Sequence, residues 1–188
     1  MLINPEIKLL VTGCVNKDPI AQKELVEKFS SMLYTVCLRY MGDSHTAKDI
    51  LQDSFIRIFK GIHTFDSERG SLQGWMRRVT INVALKQIKK NKKRQESEIG
   101  DNELGMEKQP VITDQLAAQD LLKVVQTLPE GYRQIFNLSV VEGYNHREIG
   151  ELLGIEEVTS RSQLSRAKQL LRKKLQNMQT DDSWARII

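Results

Sequence analysis

The segment from Asn145 to Leu175 restricts the possible folds of this chain more than any other. Asn145 and Glu148 have the spacing of a capping box, so a helix is expected to begin between them. Gly154 interrupts that helix, and a longer helical pattern follows. The residues expected to face inward on the second helix are Leu164, Ala167, Leu171 and Leu175. With the small Gly150 where the helices would cross, the pattern predicts a helix-turn-helix or a plain αα-hairpin.

The polar side chains of the second helix favour nucleic acid over a plain hairpin. Its N-terminal half carries hydroxyl, amide and guanidinium groups at Thr159, Arg161, Ser162, Gln163, Ser165 and Arg166. Such groups pair with base edges in the major groove or with phosphates. Arg161 and Arg166 are the strongest candidates, because a guanidinium fork suits guanine or phosphate. Glu156 and Glu157 suit the positive end of the helix dipole and would repel a nearby phosphate.

Charge is distributed unevenly along the 188 residues, a length that suits one domain or two small ones. Residues 69–95 contain nine Lys/Arg and residues 158–180 contain six, with no Asp or Glu in either window. The rest of the chain has 13 basic and 24 acidic residues. The helix dipole attracts a few cations to each C-terminus, but not two acid-free windows of this length. The distribution therefore predicts two anion-binding surfaces.

The N-terminal half has the pattern of a helical bundle, without strand-like alternation. A helix of one or two turns is expected over Glu6–Thr12. Asp18 and Pro19 are an N-cap acid and a first-turn proline, Gly42 ends that helix, and Asp43 can cap the next. The apolar stripe of this next helix is Ala47, Ile50, Leu51, Ile58, Phe59 and Ile62.

A polar loop and a cationic helix follow. Gly61 closes the preceding helix, and Ser71 can cap the next, with HTFDSERG between them. We expect the third helix to bury Leu72, Trp75, Val79 and Val83, with Arg77, Arg78, Thr80, Asn82 and Lys86 largely elsewhere. Trp75 suits a core position better than a base-stacking platform, and Asn82 suits either an adenine edge or water. The loop can accept an unstacked base, although alone it is more typical of an ordinary helix connection.

Asp49, Gln52, Asp53 and Arg57 share one helical face at spacings i, i+3, i+4 and i+8. This face is either a solvated surface with an Asp53–Arg57 ion pair of about 0.3–0.5 kcal/mol, or a docking surface for a protein partner.

Catalytic, metal-binding and membrane functions are disfavoured. The three histidines are scattered, and Cys14 and Cys37 sit in apolar surroundings without ligand-like spacing, which predicts buried thiols. P-loop, GxSxG and HExxH motifs do not occur in the sequence. Neither a signal-peptide pattern nor an apolar run of 18 residues is present. We therefore expect no cofactor, no metal site, no membrane insertion and a cytoplasmic location.

Residues 96–114 have the composition of a linker, with six acids against one lysine. As a flexible coil they would span about 24 Å, and fully extended about 65 Å, close to the roughly 68 Å of two B-DNA turns. The predicted organisation is a helical domain over 1–95, a linker over 96–114, a helix-turn-helix domain over 115–178 and a tail over 179–188.

Two helices are predicted between the linker and Asn145. Asp114 caps the first, Pro129 breaks it, and Gly143 ends the second. Their expected core residues are Ala117, Leu121, Val124, Val125, Leu128, Tyr132, Ile135, Phe136, Leu138 and Val140. Ile149, Leu152 and Leu153 are expected in the core from the helix before Gly154.

Taken together and in this order, these stretches resemble an extracytoplasmic-function (ECF) sigma factor of the sigma-70 family, over residues 20–95 and 115–176. DSHTAKDILQDSFIRIF resembles the family's clamp-binding helix, and FDSERGSLQGWMRRVTINVALKQIKK resembles its −10 loop and helix. LPEGYRQIFNLSVVEGYNHREIGELLGIEEVTSRSQLSRAKQLLRKKL resembles its −35-binding domain. The resemblance implies an all-α protein, with a sigma region 2 bundle and a sigma region 4 helix-turn-helix domain joined by a flexible acidic linker. It also implies a non-enzymatic factor that binds core RNA polymerase and directs promoter-specific transcription initiation.

The resemblance further implies roles for individual residues. Core polymerase would be bound at its β′ clamp by Asp49, Gln52, Asp53 and Phe55. The −10 element would be bound by Phe65, Asp66, Trp75, Arg77, Arg78, Asn82 and Lys86. The −35 element would be bound by Thr159, Arg161, Ser162, Gln163, Ser165, Arg166 and Lys168. The expected partners are the β and β′ subunits of core RNA polymerase, promoter DNA and an anti-sigma factor.

The sequence departs from the family pattern at the start of its last helix. Val158 and Ser160 stand where a glycine or small residue and then an aliphatic residue are usual, and Gln163 replaces a common arginine. Ser160 would cost core packing unless its hydroxyl bonds a carbonyl of the preceding turn.

Two other classes of protein differ from this one in testable ways. A helix-turn-helix regulator would need an N-terminal sensor or dimerisation domain, and a recombinase-like enzyme would need a nucleophile or metal cluster.

Overall fold

The computed structural model describes residues 5–98 and 118–177, and every regular element within these ranges is helical. The chain divides into two compact units, residues 1–100 and 101–188. The first unit contains α1 (Pro5–Val15), α2 (Pro19–Met41), α3 (Ser44–Gly61), two 3-10 turns (Ile62–Thr64 and Ser67–Arg69) and α4 (Leu72–Glu98). The second contains α5 (Ala118–Gln126), α6 (Glu130–Phe136), a π-helical turn (Asn137–Val141), α7 (His146–Leu153) and α8 (Glu157–Asn177).

Local capping chemistry sets the helix boundaries of the first unit, as predicted. The Asp18 carboxylate accepts from the Ile20 N–H at 2.9 Å, and the Asp43 carboxylate accepts from the Thr46 N–H at 2.8 Å. Gly42 ends α2 with a φ of 83°, a left-handed conformation that glycine adopts without strain. The first helix is longer than the predicted Glu6–Thr12, since α1 spans Pro5–Val15.

The core of the first unit lies where α4 packs against both α2 and α3. Because α4 has two neighbours, its buried arc is wider than the predicted stripe. Met76 and Ile81 are buried, whereas Trp75 and Val79 are only half-buried. Thr80, expected outside the core, is fully buried, and its hydroxyl donates to the Met76 carbonyl at 3.0 Å. That bond satisfies the threonine without a partner from another helix.

The second unit has the predicted helix-turn-helix. Asn145 and Glu148 form the capping box, and Gly154 turns the chain with a φ of 71°. A Cβ placed on Gly150 would lie 2.7 Å from the Ile155 carbonyl oxygen, so only glycine fits where α7 meets the turn. The core beside α8 is formed by Val124, Val125, Leu128, Phe136, Ala167 and Leu171.

Two residues predicted for the core of this unit are exposed instead. Val140 is 37% exposed, because the π-helical turn has more residues per turn than an α-helix and moves it off the apolar stripe. Leu152 is 39% exposed, because the face that α7 packs inward is centred on Ile149 and Gly150.

The predicted linker is only partly within the described residues. Helix α4 runs to Glu98, three residues past the expected domain end at 95. Outside the described residues lie the rest of the linker, the Asp114 cap, Ala117, Met178 and the tail over 179–188.

The described residues include no helix with the length and apolarity that a membrane span requires. They also contain no group of three or more His, Cys, Asp or Glu that could hold a metal ion. Cys14 and Cys37 are buried as predicted, and burial raises the pKa of the Cys37 thiol to about 12.

Candidate nucleic-acid and protein-docking surfaces

One side of α3 presents acids and an amide to solvent. Asp49, Gln52 and Asp53 are all exposed, and Ile56 lies on the same side, one turn beyond Gln52 and Asp53. Ile56 is 44% exposed, and it was not among the residues predicted to bind a partner. We call Asp49, Gln52, Asp53 and Ile56 the α3 face. An apolar side chain beside polar ones is compatible with a protein–protein contact, although single exposed apolar residues are also common on protein surfaces.

Phe55, which was expected to contact core polymerase, is buried and does not belong to the exposed α3 face. It is 8% exposed and packs in the core, with its ring centroid 6.1 Å from that of Phe59. The signal was available in the sequence, since Leu51, Phe55 and Phe59 recur at spacing i, i+4 and i+8.

A line of cationic and amide side chains runs along the exposed side of α4. Arg78, Asn82 and Lys86 recur every four residues and are all exposed, opposite the buried Met76 and Ile81. We call these three residues the α4 face. Arg77, also expected to bind DNA, is half-buried and lies off this line.

The loop before α4 is fixed at both ends by packing and capping. The Phe65 and Trp75 rings are tilted by 58°, with centroids 6.0 Å apart, and both pack against the core. Trp75 is therefore placed as the sequence predicted, against the core rather than as a free platform. The Asp66 carboxylate accepts from the Glu68 N–H at 2.9 Å and lies 3.4 Å from Arg69 Nε. These contacts hold the loop's exposed polar groups close to the start of α4.

The exposed side of α8 contains four of the seven residues expected to bind the −35 element. Arg161, Ser162, Ser165 and Arg166 are exposed and form one stripe, which we call the α8 face. The other three, Thr159, Gln163 and Lys168, are half-buried at the edges of this stripe. Buried positions of α8, including Ala167 and Leu171, lie on the opposite side. The helix therefore presents one polar side to a ligand and packs the other into the unit.

Arg161 does not project freely, because its guanidinium donates to the Glu157 carboxylate one turn earlier. Ser162 is also engaged within the helix, since its hydroxyl donates to the Thr159 carbonyl at 3.0 Å. Both side chains are exposed and would have to exchange these local partners for bases or phosphates. The ion pair is at the surface, so its net stabilisation is at most about 1 kcal/mol.

Ser160 is buried on the inner side of α8 and has a partner from another helix. Its hydroxyl lies 2.9 Å from His146 Nδ1, at the first residue of α7. The sequence offered only a carbonyl of the preceding turn as a way to offset the cost of burying this hydroxyl, and the structure has His146 in that role. The hydrogen bond satisfies a polar group at a core position and joins the beginnings of the two helices.

Comparison with known proteins identifies both units. The family model described as Sigma-70 region 2 matches residues 25–94, and the model described as Sigma-70, region 4 matches residues 118–171. The chain is 30% identical to the ECF RNA polymerase sigma factor SigW of Bacillus subtilis, covering 95% of this chain and 99% of SigW. It is 30% identical to SigE of Mycolicibacterium smegmatis, covering 79% of this chain but only 59% of SigE.

A solved structure with similar architecture is the sigma factor RpoE from Bartonella quintana, crystallised in complex with the anti-sigma factor NepR. The alignment has a TM-score of 0.55 and 19% identity, and covers 82% of this chain and 96% of RpoE. At that identity the similarity concerns the fold alone.

Proposed function

We propose that three helix faces of this chain have separate binding roles in promoter-specific transcription initiation. The chain belongs to the extracytoplasmic-function (ECF) sigma factors of the sigma-70 family. Sigma factors are not a class of enzymes, so the faces have to bind and orient rather than catalyse. The observation that carries the proposal is the separation of charge between them. The α3 face is acidic, whereas the α4 and α8 faces are cationic and lie in sequence windows without acids.

The α3 face is proposed to dock on core RNA polymerase. Asp49 and Asp53 supply two carboxylates one turn apart, and Gln52 adds an amide that both donates and accepts hydrogen bonds. Ile56 supplies apolar surface at the end of the same stripe. Phe55 supports this face from below, because it anchors α3 in the core.

The α4 face and the loop before it are proposed to bind the −10 element. Arg78 and Lys86 would pair with phosphates, and Asn82 between them has the two hydrogen-bonding groups that suit an adenine edge. Arg77 is half-buried on the side of α4 that faces the core, so it would contribute positive charge at longer range rather than by direct contact. The loop around Phe65 and Asp66 would accept an unstacked base, with Trp75 beneath it as support.

The α8 face is proposed to bind the −35 element in the major groove, as the second helix of a helix-turn-helix does. Arg161 and Arg166 are the candidates for guanine or phosphate, and Ser162 and Ser165 for shorter hydrogen bonds. The half-buried Thr159, Gln163 and Lys168 would contact the groove edges and the DNA backbone.

The proposal also includes the context of these faces. The β and β′ subunits of core polymerase and promoter DNA are the partners, and an anti-sigma factor would regulate access to them. Because polymerase and promoters share the bacterial cytoplasm, the proposed location is cytoplasmic. The acidic residues 96–114 would connect the two DNA contacts without binding DNA themselves.

Charge reversal on the α3 face tests the proposal. We expect Asp49→Lys with Asp53→Lys to reduce binding to core polymerase on the order of a hundredfold, because two charge-assisted contacts of about 1.5 kcal/mol each are lost. Sedimentation of the protein with purified core polymerase measures this loss. Circular dichroism should show an unchanged helical content.

The matched control reverses two exposed acids of α2 in the same unit, Glu24→Lys with Glu27→Lys. This variant should bind core polymerase like the wild type. Retained binding by the α3 variant, or an equal loss in the α2 control, would reject the docking assignment.

A further inference from the structure

We infer that Val158 contacts the 5-methyl group of a thymine in the −35 element, and so adds an apolar specificity contact to the polar α8 face. The inference rests on the proposed role of α8 in DNA recognition. It assigns a role to a residue that departs from the family pattern.

The position of Val158 places it in line with the α8 face. It precedes Arg161 and Ser162 by three and four residues and Ser165 by seven, so all four lie on one side of the helix. The buried side of α8, marked by Ser160, points the opposite way. A DNA groove that receives the arginine and the serines would therefore also receive the valine.

The exposure of Val158 is unusual among the described residues of its unit. Val158 is 68% exposed, whereas Val140, Val141 and Leu152 are 37–39% exposed. Isolated apolar side chains on a surface are common, so exposure alone would not assign a role. Valine, however, has a lower helix propensity than alanine because its side chain loses rotamer freedom. With most of its side chain outside the core, Val158 gains little packing to offset that loss.

The chemistry around Val158 identifies the ligand group. A valine side chain cannot bind a phosphate, and the adjacent carboxylates of Glu156 and Glu157 repel one. The apolar group that a base pair presents in the major groove is the thymine methyl. Helix-turn-helix proteins contact base edges through the N-terminal residues of the second helix, where Val158 lies. A thymine one step beyond the bases facing Arg161 and Ser162 is the expected target.

A uracil-interference experiment tests the inference with the complete holoenzyme. Promoter DNA from a mapped start site is prepared with about one deoxyuridine replacing thymine per molecule, which removes a single methyl group. This DNA is incubated with the holoenzyme formed from core polymerase and the wild-type protein, and bound DNA is separated from free DNA. Sequencing of the two fractions then shows which thymine methyl groups are needed for binding. We expect one upstream thymine whose methyl loss weakens binding about fourfold, the equivalent of one buried carbon.

The Val158→Ala variant should lose sensitivity to that one methyl group and keep the wild-type pattern elsewhere. Alanine favours the helix, so the variant should fold. Val141→Ala, a valine of the same unit away from α8, is the matched control and should retain the full wild-type pattern.

Identical interference patterns for wild type and Val158→Ala would overturn the inference, and so would the absence of any methyl effect in the −35 element. Either result leaves the proposed function standing, because the holoenzyme still binds its promoter. Failure of the wild-type holoenzyme to bind any promoter would instead overturn the proposed function, and this inference with it.

Discussion

The α4 and α8 faces are both cationic, but they hold their charge differently. Between Glu68 and Glu96 the sequence of α4 contains no acid that could pair with Arg78 or Lys86 along the helix. At the start of α8, in contrast, Arg161 is bound by Glu157. If both faces bind DNA as proposed, the first arrangement would attract phosphates strongly whatever the base sequence. The second would lose part of that attraction, because Arg161 would leave Glu157 only for a partner of good geometry, which favours specificity over affinity.

Helix α4 and the turn between α7 and α8 also differ in how they tolerate change. Helix α4 packs against two long helices, α2 and α3, through a wide apolar surface. The turn between α7 and α8 depends on close backbone contacts at Gly150 and on the left-handed Gly154. The position of α4 is therefore set by many apolar contacts, and the geometry of the turn by sterics at a few atoms.

The largest effect on DNA binding is expected from Arg78→Ala with Lys86→Ala. Promoter binding by the holoenzyme should fall on the order of a hundredfold at low salt, because two charge-assisted contacts of about 1.5 kcal/mol each are lost. The slope of log affinity against log salt should decrease by about two, one unit per phosphate contact. Filter binding across a salt series measures both quantities.

The control for this pair removes two exposed lysines of α2, Lys23→Ala with Lys28→Ala. It should leave the salt slope unchanged. An unchanged slope in the α4 variant would mean that this face does not contact phosphates, and the contrast with α8 would fail.

Gly150→Ala should destabilise only the second unit, by about 1–3 kcal/mol. The added Cβ would meet the Ile155 carbonyl oxygen, a backbone atom that cannot move without moving the turn. Amide hydrogen exchange in α7 and α8 should accelerate roughly tenfold to a hundredfold, while α2, α3 and α4 keep their protection.

Gly74→Ala is the corresponding change in α4. Its Cβ would lie 3.2 Å from the Ser71 hydroxyl, which accepts from the Gly74 N–H at 3.1 Å and, as a side-chain atom, can shift by a few tenths of an ångström more easily than backbone. We expect the stability of the first unit to change by less than about 1 kcal/mol. Equal effects of the two substitutions would remove the proposed difference in packing.

Features that depend on short-range interactions were predicted correctly from the sequence. The caps at Asp18, Asp43 and Asn145 are examples, because each depends on a side chain and a backbone group within three residues. The helix ends at Gly42 and Gly154 were predicted for the same reason, and both glycines have a positive φ.

Residues whose environment depends on a neighbouring helix were predicted less well. Thr80 was expected on the polar side of α4. It is buried, because α4 packs against two helices and a single apolar stripe does not describe its buried side. For Ser160 the sequence suggested only a carbonyl of its own helix as a compensating partner, and the partner is His146, fourteen residues away. Phe55 was expected at a partner surface and is 8% exposed, whereas Ile56, for which the sequence made no prediction, is 44% exposed.

The smallest effect is expected from Glu157→Gln. Removing the carboxylate releases Arg161, and an exposed ion pair of at most about 1 kcal/mol limits the gain in DNA affinity to about fivefold. Non-specific duplexes should gain at least as much as promoter DNA, which would lower the specificity ratio. Competition binding against random duplex measures that ratio.

Glu151→Gln provides the matched control, since Glu151 pairs with Arg147 at the same i, i+4 spacing on α7. Its effect on the specificity ratio should be negligible. A loss of affinity in the Glu157 variant would show that the carboxylate itself contacts the DNA, and a role limited to restraining Arg161 would be wrong.

Site-specific crosslinking to promoter DNA tests the central claim most directly. Two variants, Asn82→Cys and Ser165→Cys, each carry a photoreactive group on the new cysteine. The native thiols should remain unlabelled. Cys14 and Cys37 are 2% and 0% exposed, and burial raises the pKa of Cys37 to about 12. In the holoenzyme, residue 82 should crosslink to the −10 element. Residue 165 should crosslink to the −35 element, about two helical turns upstream of the residue 82 crosslink. Crosslinks from both positions to the same DNA segment would contradict the assignment of α4 and α8 to separate promoter elements.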